Sequence, residues 1–174
     1  GYIDQIFDAT SNIVDLVPLD ADTWAGAHSL ETALRAAGGA CLAVDLVMQD
    51  KAPTAFSAMR PPGHHAEPDR AMGFCLFSSA AIAARHAQTV WGIDRVAVVD
   101  FDVHHGNGTQ AAFWDDASLI YASSHQMPLY PGTGAAHEQG AHNNIFNLPC
   151  APGTSGTEII KGWRNILLSA IVDA

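Results

Sequence analysis

The sequence predicts an α/β fold of three layers, in which helices cover both faces of a mainly parallel sheet. Helical and strand-like patterns alternate along the chain, without internal repeats or low-complexity segments. One apolar run, from Val96 to Phe101, has the length of a buried strand and leads into a cluster of carboxylates and imidazoles. Ligands in such folds bind at the carboxyl ends of the strands, so we expect the functional site there.

The first half of the chain contains two predicted helices. Residues Ser29 to Val47 have helical periodicity, with Leu30, Leu34 and Ala37 on one face. The other predicted elements of this half are a short strand from Thr54 to Met59 and an alanine-rich helix from Phe77 to Trp91. The helix is expected to stop at the glycine that follows it.

The second half continues the alternation. Its predicted elements are a strand from Val96 to Phe101, a short helix from Asn107 to Trp114, a strand from Leu119 to Ser123 and a closing helix from Glu158 to Val172. The closing helix is expected to turn an apolar side inward, formed by Ile159, Trp163, Ile166 and Leu167. The stretch from Ser124 to Gly156 is rich in Gly, Pro, His and Asn, which predicts an ordered loop system around a site.

Composition narrows the function classes. Nearly half of the residues are hydrophobic, which allows a sizeable core, and 8 basic against 18 acidic residues give a net charge of −10. This charge opposes nucleic-acid binding and either favours a cationic substrate or only maintains solubility. The three cysteines form no paired motif, which is typical of a reducing compartment. With no apparent signal or membrane-spanning segment, we expect a cytoplasmic protein without a membrane or nucleic-acid partner.

The run from Asp100 to Gly108 is the strongest candidate for a metal site. In an extended chain, residues two apart point to the same side, so Asp102 and His104 can offer an oxygen and a nitrogen to one cation. Asp100 falls in the same register, where it could brace a neighbouring group. His105 points to the opposite side and is expected to have a packing role.

A second polar cluster lies upstream, in the turn from Arg60 to Ala66. Two prolines and a glycine make this turn rigid, and it presents the adjacent histidines His64 and His65. Imidazole suits acid and base catalysis near neutral pH, so one histidine could face a substrate while the other is held behind it. The two clusters together suggest metal-assisted hydrolysis.

Four segments of the chain resemble, in order, the signature blocks of the zinc-dependent histone deacetylase family, which includes acetylpolyamine amidohydrolases and acetoin-utilisation proteins. These segments are Arg60 to Ala66, Gly73 to Cys75, Asp100 to Gly108 and Tyr130 to Gly134. The resemblance extends over essentially the whole chain. It implies an arginase/deacetylase-like fold, which agrees with the three layers predicted from the pattern of helices and strands.

The resemblance also implies roles for the polar residues. Asp102 and His104 match the first two zinc ligands, and His64 and His65 match the paired catalytic histidines. Asp100 matches the carboxylate that partners His64, and Asn107 stands where the family orients His65. Asparagine there suggests the class II-like branch, to which many bacterial members are similar. An amide lacks the charge of a carboxylate, so His65 should be less readily protonated than with aspartate.

Substrate and cation sites are implied in the same way. Phe74 and Tyr130 match the aromatic walls of a narrow tunnel for the aliphatic stem of an acylated amine, and Gly73 would let the chain approach that stem closely. A structural monovalent cation, usually potassium, is implied near Asp100, Asp102, His104 and Ser123, largely through backbone carbonyls.

Two pieces of the family pattern do not occur in this sequence. They are a third zinc ligand, in a Gly-Phe-Asp-Ala-type motif, and a tyrosine in a Gly-Gly-Tyr motif. We therefore interpret residues 1–174 as part of a single catalytic domain that lacks its C-terminal portion and its N-terminal start. On its own, such a fragment is expected to bind zinc weakly and to show little or no turnover.

Three functions follow as hypotheses. The first is a zinc-dependent deacetylase acting on acetyl-lysine in a protein or on an acetylpolyamine. The second is an arginase-like hydrolase with two manganese ions, but its ligand run would need aspartate where Gly106 stands. The third is a non-catalytic, metal-dependent acyl-lysine-binding protein, which the Gly-Gly-Tyr region would distinguish. Among the remaining histidines, His125, His137 and His142 are expected to be exposed polar residues, and His125 has the best claim of the three to touch substrate or metal. His28 and His86 are expected to be structural or solvated.

Overall fold

The computed structural model describes residues 1–11 and 15–173, which belong to two compact units, Gly1–Ile93 and Asp94–Ala174. The first unit is mostly helical. Its elements are α1 (Tyr2–Thr10), the short strands β1 (Val17–Pro18) and β2 (Trp24–Ala25), α2 (Ser29–Met48) and α3 (Ser79–Trp91). The two strands pair antiparallel. Within the described residues no helix is both long and apolar enough to cross a membrane.

Alanine-lined faces join the two long helices of the first unit. The buried residues of α2 are Ala33, Ala36 and Ala37, and those of α3 are Ala81, Ala84 and Ala87. Small side chains let two helices approach closely, so burial here requires no large residue. A neighbouring core cluster contains Ile6, Ala33, Ala71 and Leu76. The bounds of both predicted helices are confirmed to within two residues.

Two expectations for the first unit are wrong. Leu34 is 47% exposed, because the buried stripe of α2 follows the three alanines instead. Residues 54–59 form no strand, since this segment has no strand partner within the described chain. The segment lies against α2 at Gly39, where an added Cβ would approach the Ser57 hydroxyl to 2.9 Å.

A polar contact also links α2 to α3. Asp45 Oδ1 lies 2.6 Å from His86 Nε2 and accepts a 2.8 Å hydrogen bond from Trp91 Nε1. The bond from His86, followed by that from Trp91, lowers the pKa of Asp45 below its ordinary value of 3.8. As expected from the sequence, His86 therefore has a structural role.

The Asp45 contact predicts a pH-dependent contribution to stability. A carboxyl with a depressed folded-state pKa stabilises the fold above its unfolded pKa, and loses this contribution as pH falls through the folded value. Asp45→Asn should therefore lower the thermal midpoint at pH 7, with the difference from wild type shrinking below pH 3.8. Thermal melts across pH check this, with Asp8→Asn on α1 as the exposed control. A difference that persists unchanged at pH 2.5 would contradict it.

The second unit is built on a parallel sheet. Its elements are β3 (Val96–Asp100), α4 (Asn107–Phe113), β4 (Leu119–Gln126), β5 (Ile145–Cys150), α5 (Gly156–Gly162), a π-helical segment (Trp163–Leu167) and α6 (Leu168–Asp173). The strand order is β3-β4-β5, and both pairs are parallel. This confirms the predicted α/β class and its parallel sheet.

The positions of the strands differ from the prediction in three ways. β3 was expected to be the clearest buried strand, yet Val99 is 44% and Phe101 81% exposed, because β3 is an outer strand of this three-stranded sheet. The central strand is β4, which is buried from Leu119 to His125. β4 also extends three residues beyond its predicted end, and β5 was missed because it lies within a segment that was expected to be loop. Residues 127–144 between them are free of helix and strand, as expected.

The closing helix begins with a capping box. Ser155 Oγ accepts a hydrogen bond from the Glu158 backbone N–H, and Glu158 accepts one from the Ser155 N–H. The helix continues through the π-helical segment, which rotates the side chains that follow relative to a regular helix. Leu167 is fully buried as expected, but Ile166 is 53% exposed, which corrects the predicted apolar face.

Candidate functional site

The candidate metal ligands lie on the loop that follows β3. Asp102 Oδ1 accepts a 2.8 Å hydrogen bond from the His104 backbone N–H and lies 3.2 Å from His104 Nδ1. The two side chains are 52% and 40% exposed. The structure thus brings together the carboxylate and imidazole named from the sequence, although residues 102–104 form a bend and not the extended chain assumed there.

These two donors fit a shared zinc ion. Two atoms bound to one tetrahedral zinc at about 2 Å would be roughly 3.3 Å apart, close to the 3.2 Å between Asp102 Oδ1 and His104 Nδ1. Carboxylate oxygen and imidazole nitrogen are also ordinary zinc donors. In residues 1–11 and 15–173, no group of three or more His, Cys, Asp or Glu side chains could hold a metal. Zinc binding by Asp102 and His104 therefore stays a prediction.

Asp100 shapes this loop from the end of β3. Its Oδ1 accepts the Asp102 backbone N–H at 3.1 Å, and its Oδ2 accepts the hydroxyl of Tyr121 at 3.0 Å. The same hydroxyl accepts the Gly106 N–H at 3.0 Å. Burial, followed by the nearby Asp100 charge, raises the pKa of Tyr121 well above its ordinary value, so the phenol stays protonated and donates. No local sequence pattern predicts this role for Tyr121.

Ser123 lies beside Asp100 in the sheet. The two residues are register partners in the β3–β4 pair, and Ser123 is fully buried. Its hydroxyl lies 2.9 Å from His125 Nδ1. The parallel register therefore places two of the residues named for the monovalent cation side by side at the carboxyl end of the sheet. Occupancy by potassium stays a prediction.

The loop that carries Tyr130 approaches the metal ligands. The Tyr130 ring is 37% exposed and meets the His104 ring edge-on, with centroids 6.3 Å apart. Further along this loop, the Glu138 carboxylate accepts the backbone N–H groups of Gly134 and Ala135 at 3.0–3.1 Å. Tyr130 therefore borders the candidate metal site on a loop that is tied down at its far end.

Buried polar contacts connect Glu138, which holds the loop, to α4. Gln110 Nε2 donates to Glu138 at 2.7 Å, and Gln110 Oε1 lies 3.0 Å from His105 Nε2. His105 Nδ1 in turn lies 2.8 Å from the Thr133 hydroxyl. Burial alone would raise the pKa of Glu138, but its hydrogen bonds outweigh this and lower it. The supporting roles of Gln110 and Glu138 were not predicted from the sequence, because neither residue belongs to a recognisable motif.

Two histidines of the second unit have structural roles. His105 is 1% exposed, and burial, followed by its neighbour His125, lowers its pKa to about 4. This confirms the packing role expected for His105. His125 was expected to be exposed, with the best claim of the loop histidines to touch substrate or metal. It is instead 2% exposed, and its ring nitrogens face Ser123 Oγ and the Gly134 carbonyl. Both expectations are corrected, because both nitrogens of His125 are engaged within the fold.

The first unit carries the histidine turn. The rings of His64 and His65 lie side by side, with centroids 4.0 Å apart and planes tilted by 47°. The division into one substrate-facing and one supporting histidine stays a prediction. His65 is 5% exposed, whereas His64 is less deeply buried. Gly73 faces His65: a Cβ added there would lie 2.6 Å from His65 Cγ. Glycine is thus required for the close approach of the chain to this histidine.

Phe74 follows Gly73 and projects from the surface of the first unit, where 64% of it is exposed. It borders an open cavity of about 780 Å³ within this unit. Other residues that line the cavity are Trp24, Arg60, Pro61 and Pro62. The aromatic ring proposed as a tunnel wall therefore stands beside the turn that carries the histidines.

The predicted site residues thus form two groups. The first unit brings His64, His65, Gly73 and Phe74 together, and the second brings Asp100, Asp102, His104, Ser123 and Tyr130 together. The proposed pairings of His64 with Asp100 and of His65 with Asn107 stay predictions, although Asn107 is buried at the start of α4. His28, His137 and His142 are exposed.

A family model described as the histone deacetylase domain matches residues 2–173. Histone deacetylase 10, chloroplastic, from Oryza sativa subsp. japonica is 45% identical over 142 residues, which cover 77% of this chain and 32% of the rice protein. The histone deacetylase-like amidohydrolase of Pseudomonas aeruginosa is 40% identical over 157 residues, covering 88% of this chain and 41% of that protein. The chain spans half or less of the length of these relatives.

A solved enzyme structure shares this fold. The acetylpolyamine aminohydrolase from Burkholderia pseudomallei superimposes with a TM-score of 0.82 at 36% identity. That match covers 88% of this chain and 46% of the solved chain.

Proposed function

Since this chain belongs to the histone deacetylase family, we propose that the whole protein is a zinc-dependent amidohydrolase that removes the acetyl group from an acetylated amine. The observation that carries the proposal is the convergence of Asp102 Oδ1 and His104 Nδ1 beside the ring of Tyr130. It supplies the donor chemistry and the aromatic neighbour that such a site needs.

Asp102 and His104 would hold the zinc, together with a ligand from outside the described residues. When bound, the ion would supply Lewis-acid activation of a water and of the amide carbonyl. Asp100 supports this pair, because its carboxylate fixes the Asp102 backbone. Both side chains are partly exposed, which is compatible with access of water and substrate.

Proton transfer falls to the histidine turn. His65 would take the proton from the attacking water, and a protonated imidazole would then donate a proton to the leaving nitrogen. Without that donation amide hydrolysis stalls, because a free amide anion is a very poor leaving group. Asn107 would orient His65 without adding a negative charge.

The aromatic side chains would grip the substrate. Phe74 and Tyr130 are both exposed and would pack on either side of the aliphatic stem, excluding water from it. The net charge of −10 favours a cationic carrier, which both an acetyl-lysine protein tail and an acetylpolyamine provide. A potassium ion near Asp100 and Ser123 would stabilise the loop rather than take part in the chemistry.

Replacement of His65 tests the proton-transfer role. His65→Ala in the full-length, zinc-loaded protein should lower kcat on a fluorogenic acetyl-lysine peptide by about 100-fold or more, because general acid–base catalysis contributes about 10²–10⁴-fold. His137→Ala, at an exposed position, is the matched control and should keep wild-type activity. A His65→Ala protein with near-wild-type kcat would overturn this role. Parallel assays of the wild type with acetylputrescine would show whether the acetylated peptide or the acetylpolyamine is the preferred substrate.

A further inference from the structure

Gly73 and Phe74 adopt two successive left-handed backbone conformations, with φ values of +58° and +64°. For a residue with a bulky side chain this conformation is unfavourable, so the surrounding structure must hold it. The Phe74 side chain is 64% exposed, so few contacts constrain its ring. The backbone conformation sets the direction in which this side chain leaves the chain.

A pair of residues about fifty positions upstream grips that backbone. Thr23 Oγ1 accepts the Phe74 N–H at 3.0 Å, and Asp22 Oδ1 accepts the Gly73 N–H at 3.2 Å. The Thr23 hydroxyl donates its own proton to Asp22 Oδ1 at 2.9 Å, which leaves its lone pairs for Phe74. Both backbone donors of the left-handed pair are thus satisfied by adjacent side chains.

The upstream pair is itself well fixed. Thr23 is 1% exposed, and its backbone carbonyl accepts the N–H groups of Leu19 and Asp20 in the turn that joins β1 to β2. Gly73 in turn lies against His65, with no space for a Cβ between them. A short chain of contacts therefore runs from the β1–β2 turn to the proposed substrate wall and the histidine behind it.

We propose that Asp22 and Thr23 are positioning residues that aim Phe74 at the substrate and seat Gly73 against His65. The proposal rests on the proposed function, because it gives Phe74 a substrate to grip. Thr23 acts through Phe74, so its loss weakens binding of the aliphatic stem more than it slows the chemical step.

Steady-state kinetics of the full-length protein separate these effects. Thr23→Val keeps the shape of the side chain but removes the acceptor, and should raise KM for an acetyl-lysine peptide by about 3- to 10-fold, the worth of one hydrogen bond, with kcat within about twofold. Thr23→Ser keeps the hydroxyl and should restore wild-type KM. Thr10→Val is the matched control, since the hydroxyl of this buried threonine donates within α1 to the carbonyls of Ile6 and Phe7.

A double-mutant cycle tests whether Thr23 acts through Phe74. On a Phe74→Ala background, Thr23→Val should add nothing to KM, because the ring it positions is already gone. An equal rise in KM on both backgrounds would overturn the proposal. So would a Thr23→Val protein whose thermal midpoint and active fraction fall while KM stays at the wild-type value.

Amide hydrogen exchange gives a readout that needs no turnover. The Phe74 N–H should be protected in the wild type and exchange about tenfold faster in Thr23→Val, but not in Thr23→Ser or Thr10→Val. An unprotected Phe74 amide in the wild type would sink the positioning role, even in an active enzyme. If the protein shows this exchange pattern but has no deacetylase activity, the proposed function is wrong. The hydrogen bonds by which Asp22 and Thr23 hold the Gly73–Phe74 backbone would still be supported.

Discussion

Replacing Asp102 by alanine is expected to weaken zinc binding by more than about 100-fold and to abolish turnover. Loss of a residue that only supports a metal ligand already costs about 10–100-fold in affinity, and Asp102 would be a direct ligand. It also accepts the His104 backbone N–H, so its removal would loosen the second donor too. Competition with a chromogenic chelator measures the affinity independently of activity.

Asp115→Ala, at an exposed aspartate after α4, is the control for the loss of one carboxylate. It should bind zinc like the wild type. Asp102→Asn keeps an oxygen donor without its charge, and should fall between wild type and alanine. Wild-type zinc affinity in Asp102→Ala would remove this residue from the metal site and leave the 3.2 Å contact with His104 as an ordinary hydrogen bond.

Gly73→Ala is expected to lower kcat/KM by about 100-fold, because a displacement of about 1 Å at a catalytic group can cost that much. The added Cβ would lie 2.6 Å from His65 Cγ, so the imidazole or the chain must move. The positive φ of Gly73 adds strain for any side chain.

Gly92→Ala provides a matched control. Gly92 has a φ of +66°, like Gly73, but a Cβ there would meet nothing within 4 Å. It should therefore cost stability, about 1 kcal/mol, without loss of kcat/KM. Equal activity losses in the two variants would show that backbone strain, and not contact with His65, explains the Gly73 effect.

Local patterns predicted the two long helices and the strands β3 and β4. Asp102 and His104 lie close together, as predicted, but residues 102–104 form a bend and not the extended chain from which that prediction was made. The alanine-rich helix α3, which ends at Gly92, was placed to within two residues, because propensity and capping act locally.

Burial was harder to predict, because it depends on partners distant in sequence. β3 looks more apolar than β4, yet β4 is the central strand and is buried almost throughout. β5 was not predicted because it contains Pro149 and Asn147, two residue types that are uncommon in strands. Proline is nevertheless tolerated on an outer strand. His125 follows a strand as a ligand would, but the fold engages both of its nitrogens.

The residues that support the candidate site were also not predicted from the sequence. Tyr121, Glu138 and Thr23 act through hydrogen bonds to residues 15 to 51 positions away, which no local pattern encodes. The residues that carry chemistry are recognisable by type and spacing, whereas those that hold them are recognisable only in three dimensions.

The most direct test of the account is acetate release by the full-length protein after zinc removal and after stoichiometric zinc is restored. We expect no acetate from an acetyl-lysine peptide or an acetylpolyamine without the metal, and one acetate per free amine once zinc is returned. A folded protein that binds zinc through Asp102 and His104 but releases no acetate from either substrate would contradict the proposed function.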